Sequence, residues 1–201
     1  GKMVGSFGDI AAFSFFGNKT ITCGEGGMVL TNDKTLYERA VHLKGQGLAV
    51  HREYWHDIIG YNYRMTNIAA AIGMAQLEQV NSFIDRKIEI ADMYIKLLKG
   101  LPIKVQEPVG DVKHTYWMVS ITCEQIEDRD KLRDFLRNEG IETRPTFYPI
   151  HTMPMYSEKY QKLPVAEKLG WSGMNLPSYP GLKDDEVKYV LVKCHQYTGN
   201  G

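Results

Sequence analysis

The chain has 201 residues, of which 43% are hydrophobic and 24% are charged, a composition that predicts a folded chain with a buried core. Acidic and basic residues number 24 each, so the charge gives no reason to expect nucleic acid or an anionic membrane surface as a partner. The three widely spaced cysteines indicate neither a zinc site nor a disulfide framework and suit a cytoplasmic protein, and no apolar run reaches the ~20 residues of a membrane span.

The first part of the chain predicts two strands and a helix. Small, aromatic and apolar residues fill positions 10–16, which is typical of a buried strand in a parallel or mixed sheet. Three glycines within 24–27 predict a turn whose backbone conformation residues with a side chain disfavour. A short strand is expected to follow at 28–31. Asn32 is then expected to cap a helix that ends by Gly45.

The middle of the chain predicts a long loop followed by two helices. Residues 45–65 hold glycines, aromatics and histidines without periodicity, so we expect an ordered loop, and loops of this length are commonly functional. Thr66 is expected to cap a helix over 67–80 that is apolar almost all round, which implies burial, with another subunit as one candidate partner. A longer helix over 84–98 has an apolar stripe on one face and Lys87 on the opposite, exposed face.

The last part of the chain predicts a βαβ-like order of elements. A strand is expected at 114–123, a helix at 128–138 and a second strand at 141–147. A proline-rich loop at 145–164 and a final amphipathic helix near 184–196 complete the chain. The fold class is therefore expected to be α/β, with a smaller α+β unit at the C-terminal end.

Lys19 lies between an aromatic run and a glycine-rich loop, and it has three candidate roles. Most lysines just past a strand are solvated surface residues. A phosphate-binding P-loop is excluded, because Asn18 separates Gly17 from Lys19 and the required earlier glycine is absent. The third role is a lysine that binds pyridoxal 5′-phosphate as a Schiff base, because the apolar run around Phe15 favours a neutral amine and the Ser14 hydroxyl suits a phosphate oxygen.

Five blocks spread over nearly the whole chain form a pattern, and in chain order they read SFFGNKTITCGEGGMVLT, GYNYRMTNIAAAIGMAQLEQ, HTYWMVSI, ETRPTFYPIHTMPMY and GMNLPSYP. Together they resemble the DegT-type sugar nucleotide aminotransferases, a branch of the aspartate aminotransferase fold. The resemblance implies the C-terminal part of a fold type I pyridoxal phosphate enzyme, in which residues 1–82 end the large cofactor-binding domain and 83–201 form the small domain. A complete member has a further N-terminal half, and none of it is visible before Lys19.

The resemblance implies roles for three residues in cofactor binding. It implies that Lys19 binds the cofactor aldehyde and acts as acid and base, that Ser14 binds the cofactor phosphate, and that Asn62 reaches the phosphate of a neighbouring subunit. A homodimer with shared active sites follows from the last of these. Segments 45–67 and 147–161 resemble specifically the branch that transfers an amino group from L-glutamate to C4 of GDP-4-keto-6-deoxymannose in bacterial O-antigen synthesis.

The block ETRPTFYPIH resembles the substrate-facing part of the family and implies that Arg144, Tyr148 and His151 lie near the sugar diphosphate. A forked guanidinium suits a diphosphate, because it binds two oxygens together. Two alternatives stay open: Arg144 pairs with Glu142 or Glu139 on the surface, and His151 is only a loop residue. The remaining loop histidines, His51 and His56, lack the HExxH order of a zinc protease and are expected to border the substrate entrance.

Two other functions stay open beside amino transfer. One is a pyridoxal phosphate-dependent 3-dehydratase of the same sugar nucleotide, but that branch carries histidine at the lysine position, so Lys19 favours amino transfer. The other is a non-catalytic fragment that only dimerises or binds a regulator, which the missing N-terminal pieces motivate.

Overall fold

The computed structural model describes residues 1–159 and 161–199, so Tyr160, within the predicted loop 145–164, lies outside the described residues. The chain divides into two units, Gly1–Asn81 and Ser82–Gly201, called unit 1 and unit 2 below. Helices and strands occur in both, and the predicted α/β class is confirmed. Of the helices in the described part, none combines the length and the hydropathy needed to cross a membrane.

Unit 1 contains a two-stranded sheet and two helices. Strand β1 (Ile10–Ser14) pairs antiparallel with β2 (Gly27–Thr31), so that Ser14 lies opposite Gly27. Helices α1 (Lys34–Lys44) and α2 (Asn67–Glu78) follow, separated by a long loop without helix. The short second strand, both helices and the loop are confirmed, whereas the first strand pairs antiparallel and stops at Ser14.

The apolar faces of β1 and α2 are exposed within unit 1, so the buried strand predicted at 10–16 is wrong for this unit, whereas burial of α2 against another subunit stays a prediction. Phe13 on β1 keeps 37% of its surface exposed and Ile68 on α2 keeps 77%. Among the described residues of unit 1, the buried hydrophobic side chains are Cys23 and Ala49 only. An apolar face is buried only where a second layer of helices or strands packs on it. The helices and strands of unit 1 do not form such a second layer.

The two helix starts in unit 1 follow capping chemistry, with one shift from the prediction. Asp33, and not Asn32, caps α1: its Oδ1 accepts hydrogen bonds from the N–H groups of Thr35 (2.7 Å) and Leu36 (3.0 Å). Thr66 caps α2 as predicted, because its hydroxyl oxygen accepts a hydrogen bond of 3.2 Å from the Ala69 N–H. Both caps satisfy N–H groups that have no partner within the helix.

Unit 2 is built on a four-stranded antiparallel sheet, in which the strands lie in the order β3 (Ile103–Val105), β4 (Val119–Cys123), β6 (Gly173–Leu176) and β5 (Arg144–Pro145). Two short 3-10 turns, Ile150–Thr152 and Pro154–Lys159, lie in the segment predicted as a proline-rich loop. The regular elements are α3 (Val80–Leu97), β3 (Ile103–Val105), β4 (Val119–Cys123), α4 (Ile126–Asn138), β5 (Arg144–Pro145), α5 (Pro164–Ser172), β6 (Gly173–Leu176) and α6 (Asp184–Gly199).

The predicted βαβ order is present in a split form. Strands β4 and β5 each pair antiparallel with β6, so they are parallel to each other with β6 between them. Both are shorter than predicted. β4 begins only at Val119, because Tyr116 has a φ of 45° and its N–H turns back to His114 Nδ1 at 2.9 Å, a conformation that no strand continues. The missed elements are β3, α5 and β6, each of which has a proline at or next to one end, namely Pro102, Pro164 and Pro177.

The hydrophobic core lies in unit 2. Side chains from α3, α4, α6 and the sheet form one cluster, in which Tyr94, Ile121, Leu136, Met174 and Val187 are fully buried. Each such side chain contributes about 1.5–3 kcal/mol of transfer free energy, so this cluster is the main source of stability among the described residues.

The prediction that Lys87 faces solvent is wrong, because only 4% of this residue is exposed. Its Nζ donates a hydrogen bond of 2.7 Å to the Ser178 carbonyl. Burial lowers the pKa of Lys87 to about 8. Carbonyls in the turn between β6 and α6 need donors when they are buried, and α3 supplies polar side chains for them. The two other contacts of this kind are Tyr94 Oη to Pro177 O (3.0 Å) and Arg86 Nη2 to Leu182 O (2.6 Å).

We expect the buried Lys87 to make stability depend on pH. The unfolded chain keeps the Lys87 proton up to its ordinary pKa of 10.5, whereas the folded chain loses it near pH 8, so raising the pH between these values favours folding. The unfolding free energy of the parent, minus that of Lys87→Met, should rise by about 3 kcal/mol across this window and stay flat below it. Urea titrations at a series of pH values, followed by circular dichroism, measure the difference.

Taking the difference between the two proteins removes the other groups that titrate in this range. Burial raises the pKa of the Cys123 thiol to about 11 and that of Cys194 to about 12, and both act in the opposite direction to Lys87. They are present in parent and variant alike. A difference that does not change with pH would contradict the prediction.

Candidate active site

Lys19 lies in the loop that joins β1 to β2, and the backbone of this loop is tied to the end of β1. The Lys19 N–H donates to the Phe16 carbonyl at 2.9 Å, and the Cys23 N–H donates to the Phe15 carbonyl at 3.0 Å. The Phe15 N–H donates in turn to the Gly26 carbonyl at 2.9 Å. The loop therefore leaves the strand and returns to it, which fixes the Cα of Lys19, while the Lys19 side chain is half-buried.

The predicted glycine turn is confirmed at the return of this loop. Gly24 has a φ of 84° and Gly26 a φ of 157°, both in the region that side chains disfavour. A Cβ on Gly26 would lie 2.6 Å from Cys23 Sγ and 3.1 Å from Met65 Cε. Only a residue without a side chain fits there, so the loop closes against the buried Cys23.

The surroundings of Lys19 are less apolar than the sequence predicts. Phe15 is half-buried, but Phe13 and Phe16 are exposed, so the aromatic run does not enclose the amine within unit 1. Ser14 ends β1 and is exposed. Its hydroxyl oxygen accepts a long hydrogen bond of 3.4 Å from the Phe16 N–H. The hydroxyl hydrogen can donate to an oxygen anion.

Asn62 lies in a different segment, the loop 45–65, and not in the one that carries Lys19. It forms an isolated antiparallel bridge with Gly45, and its side chain is exposed. The rings of its two neighbours, Tyr61 and Tyr63, stack with centroids 5.1 Å apart.

Two histidine contacts hold the same loop. His56 Nδ1 lies 2.8 Å from the Gln46 carbonyl, and His42 Nε2 lies 2.6 Å from Asp57 Oδ1. Sequence reasoning missed the second pair, because 15 residues separate its members and no local pattern joins them. His51 is exposed. Within the described ranges, no three His, Cys, Asp or Glu side chains form a group suited to a metal ion.

Arg144 lies on β5 in unit 2, and its side chain is exposed. Its Nη2 donates to Glu142 Oε1 at 3.3 Å, so one of the two surface pairings left open by the sequence is present. Glu139 instead binds Lys193, with Nζ and Oε2 2.7 Å apart. Ion pairs between exposed side chains contribute little free energy, so the contact with Glu142 does not hold the guanidinium against a stronger anionic ligand.

Tyr148 and His151 both contact helix α5, each through a different residue of that helix. The Tyr148 ring lies 4.8 Å from the ring of Trp171, measured between centroids. His151 Nε2 lies 3.2 Å from Glu167 Oε1. Sequence reasoning missed both partners because it missed α5 itself. Pro164 at the first helical position was the available signal for this helix.

The candidate residues of unit 1 and those of unit 2 carry different chemical groups. In unit 1, a primary amine, a hydroxyl and a carboxamide can attach a carbonyl compound and bind oxygen anions. In unit 2, a guanidinium, a phenol and an imidazole held by a carboxylate can bind an anionic, hydroxyl-rich ligand.

Comparison with known proteins gives a consistent family assignment for these residues. Residues 1–195 match the DegT/DnrJ/EryC1/StrS aminotransferase family. The chain is 64% identical over 197 residues to a GDP-perosamine synthase of Escherichia coli O157:H7, covering 98% of this chain and 54% of that protein. It is 50% identical over 201 residues to a GDP-perosamine synthase of Vibrio cholerae, covering 98% and 55%. The chain thus spans about half the length of the curated relatives it matches.

A solved structure shows the same fold. The aminotransferase TlmJ from Streptoalloteichus hindustanus superimposes with a TM-score of 0.93 at 27% sequence identity, covering 100% of this chain and 55% of that one. The C-terminal part of a fold type I enzyme, expected from the resemblance, is therefore confirmed as the fold class.

We expect Gly26→Ala to destabilise the Lys19 loop. The new Cβ would overlap Cys23 Sγ and would require an alanine at a φ of 157°, so the free energy of unfolding should fall by about 1–3 kcal/mol. Gly17→Ala is the matched control in the same loop, because its Cβ would meet the Gly24 carbonyl at an ordinary 3.8 Å. Urea unfolding followed by circular dichroism compares the two, and equal losses would show that the loop does not depend on the close contact.

Proposed function

The chain belongs to the DegT/DnrJ/EryC1/StrS aminotransferase family, and on that premise we propose that the whole protein transfers an amino group from L-glutamate to C4 of GDP-4-keto-6-deoxy-D-mannose. The product is GDP-perosamine, for O-antigen synthesis. The observation that carries the proposal is the 64% identity, over 98% of this chain, with a GDP-perosamine synthase. The 3-dehydratase and the non-catalytic fragment are retained as outcomes of the test below.

The residues of unit 1 fit the cofactor that these aminotransferases use, pyridoxal 5′-phosphate. When bound, this group supplies an aldehyde that accepts amines and a ring that stores an electron pair. An amine on a loop of fixed backbone and a hydroxyl at the end of β1 are the donor types that an aldehyde and a phosphate require. Lys19 and Ser14 are therefore the residues that would hold it, with Asn62 as a further phosphate donor.

Lys19 is proposed to move the protons of both half-reactions. Its neutral Nζ takes the proton from Cα of glutamate, which allows 2-oxoglutarate to leave without its amino group. In the second half the same nitrogen returns a proton by the reverse path while C4 of the sugar gains the amine. One residue thus serves as base and then as acid, which requires an amine whose position does not change between the two steps.

A homodimer with shared active sites is part of the proposal, and Asn62 is the residue assigned to the neighbouring site. Support comes from α2, whose apolar side chains Ile68 and Leu77 are exposed although the helix is apolar almost all round. We also propose that residues 1–82 end a large cofactor-binding domain and that 83–201 form a small one. We also propose a cytoplasmic location, which is supported by the three free cysteines, since free thiols suit a reducing compartment.

Arg144, Tyr148 and His151 are proposed to bind the sugar nucleotide. The guanidinium of Arg144 donates two parallel hydrogen bonds to diphosphate oxygens, which outcompete its weak contact with Glu142. Tyr148 and His151 are oriented by α5, through Trp171 and Glu167 respectively, and present a phenol and an imidazole to the hydroxyl-rich part of the ligand.

Borohydride reduction of the whole protein with its cofactor tests the role of Lys19. We expect mass analysis to find a pyridoxyl group on the Lys19 peptide, and Lys19→Ala to lower kcat by about 10³-fold or more, because no other group moves the proton. Lys34→Ala, which changes an exposed lysine of the same unit, should leave both results unchanged.

The same experiment separates the alternatives. Absence of a pyridoxyl group at Lys19 would favour the non-catalytic fragment. With ¹⁵N-labelled glutamate, the label should appear on C4 of the sugar. Release of ammonia together with a deoxygenated keto sugar would instead identify a 3-dehydratase.

Arg144→Ala should weaken binding of the sugar nucleotide. Losing a charge-assisted contact to the diphosphate should raise KM for this substrate by about tenfold or more and change kcat less. Arg137→Ala is the matched control, because Arg137 forms a similar exposed ion pair with Asp134 (2.8 Å). Steady-state kinetics with varied sugar nucleotide measure the effect, and equal KM values for the two variants would remove Arg144 from the substrate site.

A further inference from the structure

A buried cation in unit 2 lies over the ring of Tyr148. Arg129 on α4 exposes only 3% of its surface, and its Cζ lies 5.8 Å from the centroid of the Tyr148 ring. A cation within about 6 Å of the ring centroid is attracted to the negative face of the ring, more strongly where water is excluded. The Tyr148 ring therefore contacts two helices, α4 through Arg129 and α5 through Trp171.

The other contacts of the Arg129 guanidinium satisfy it poorly. Its Nη1 donates to the Gly173 carbonyl over a long 3.4 Å. Asp130 Oδ1 lies 2.7 Å from Nε but not in line with the N–H, so Nε has no hydrogen-bond acceptor among the described residues. An arginine keeps its charge when it is buried, and a buried charge requires compensation from its surroundings. The face of the Tyr148 ring supplies part of that compensation.

The backbone on both sides of Tyr148 packs closely on α5, so the side-chain torsions determine where its hydroxyl points. A Cβ on Gly170 would lie 2.6 Å from Pro149 Cδ and 3.2 Å from the Phe147 carbonyl oxygen, which shows how near this segment approaches the helix. With the backbone fixed, the direction of the Tyr148 hydroxyl depends on χ1 and χ2. A cation over the ring face restricts both torsions.

We propose that Arg129 is a positioning residue for substrate binding, which sets the orientation of the Tyr148 ring and so the direction of its hydroxyl. This inference rests on the proposed function, because it takes Tyr148 to contact the sugar nucleotide. Arg129 itself is buried, whereas 40% of Tyr148 is exposed, so Tyr148 presents the group that a ligand can reach. Arg129 acts through the ring.

A purely structural role for Arg129 would be to stabilise α4, and the same helix contains a matched case. Arg133 lies one turn further along α4, and its Nη1 is 3.5 Å from the same oxygen, Asp130 Oδ1. Its Nε is likewise buried without a hydrogen-bond acceptor among the described residues. If Arg129 only stabilises the helix, Arg129→Met and Arg133→Met should have similar consequences.

Steady-state kinetics of the whole protein with its cofactor test the role in substrate binding. Arg129→Met should raise KM for GDP-4-keto-6-deoxy-D-mannose about fivefold, as expected for one misplaced hydrogen bond, and leave the glutamate half-reaction unchanged. Arg133→Met should keep the parental KM. Replacing a buried charge by an apolar side chain is commonly tolerated, and Arg129→Gln, which can still donate to the Gly173 carbonyl, is a second neutral variant. A parental KM in both Arg129 variants would contradict the proposal.

A double-mutant cycle shows whether Arg129 acts through Tyr148. In a Tyr148→Ala background, Arg129→Met should add no further rise of KM, because the ring on which the cation acts is absent. A full additional rise would overturn the positioning role, since Arg129 would then affect the substrate by another route.

Crystal structures of the whole-protein variants separate failure of this inference from failure of the proposed function. We expect χ1 or χ2 of Tyr148 to change in Arg129→Met and Arg129→Gln and to stay parental in Arg133→Met. Parental torsions in both Arg129 variants would overturn the positioning role, whatever the kinetics show. If the torsions change while Tyr148→Ala keeps the parental KM, the positioning of the ring stands and the proposed contact of Tyr148 with substrate fails.

Discussion

The backbone of Phe15 holds both ends of the loop that carries Lys19. Its carbonyl accepts hydrogen bonds from the Cys23 N–H and the Thr22 hydroxyl, and its N–H donates to the Gly26 carbonyl. The position of the lysine Cα therefore depends largely on peptide groups, with the Thr22 hydroxyl as the side chain among these contacts. This arrangement suits the role proposed for Lys19, because attaching a carbonyl compound and moving protons both require an amine on a fixed backbone.

Unit 2 obtains its rigidity differently, from a hydrophobic core and from donors on α3. The turn between β6 and α6 is bound through its carbonyls by Tyr94, Lys87 and Arg86. One of these donors is a buried cation, which is destabilising by desolvation but satisfies a carbonyl that would otherwise lose its hydrogen bond. The turn follows β6, the inner strand that pairs with both β4 and β5. These three hydrogen bonds therefore hold the chain where it leaves the middle of the sheet.

The sequence predicted the parts of this protein that local rules determine. The cap at Thr66, the glycine turn and the α/β class follow from short-range chemistry, and the resemblance singled out Lys19. Lys87 was misplaced, because periodicity detects apolar stripes and not the need of a distant carbonyl for a donor. Helix α5 was missed within a proline-rich stretch, and with it Glu167, whose importance depends on a histidine 16 residues away.

The two sets of candidate residues differ in what a change of sequence does to them. In unit 1 the loop that carries Lys19 is held largely by backbone hydrogen bonds, and it is sensitive to an added Cβ at Gly26, which would meet Cys23 Sγ. In unit 2 the groups are oriented by side-chain contacts, Tyr148 by Trp171 and His151 by Glu167, so single substitutions reorient them. Under the proposed function, substitutions in unit 2 would change the ligand while the proton transfer proposed for Lys19 stays the same, because the Lys19 loop does not depend on those contacts.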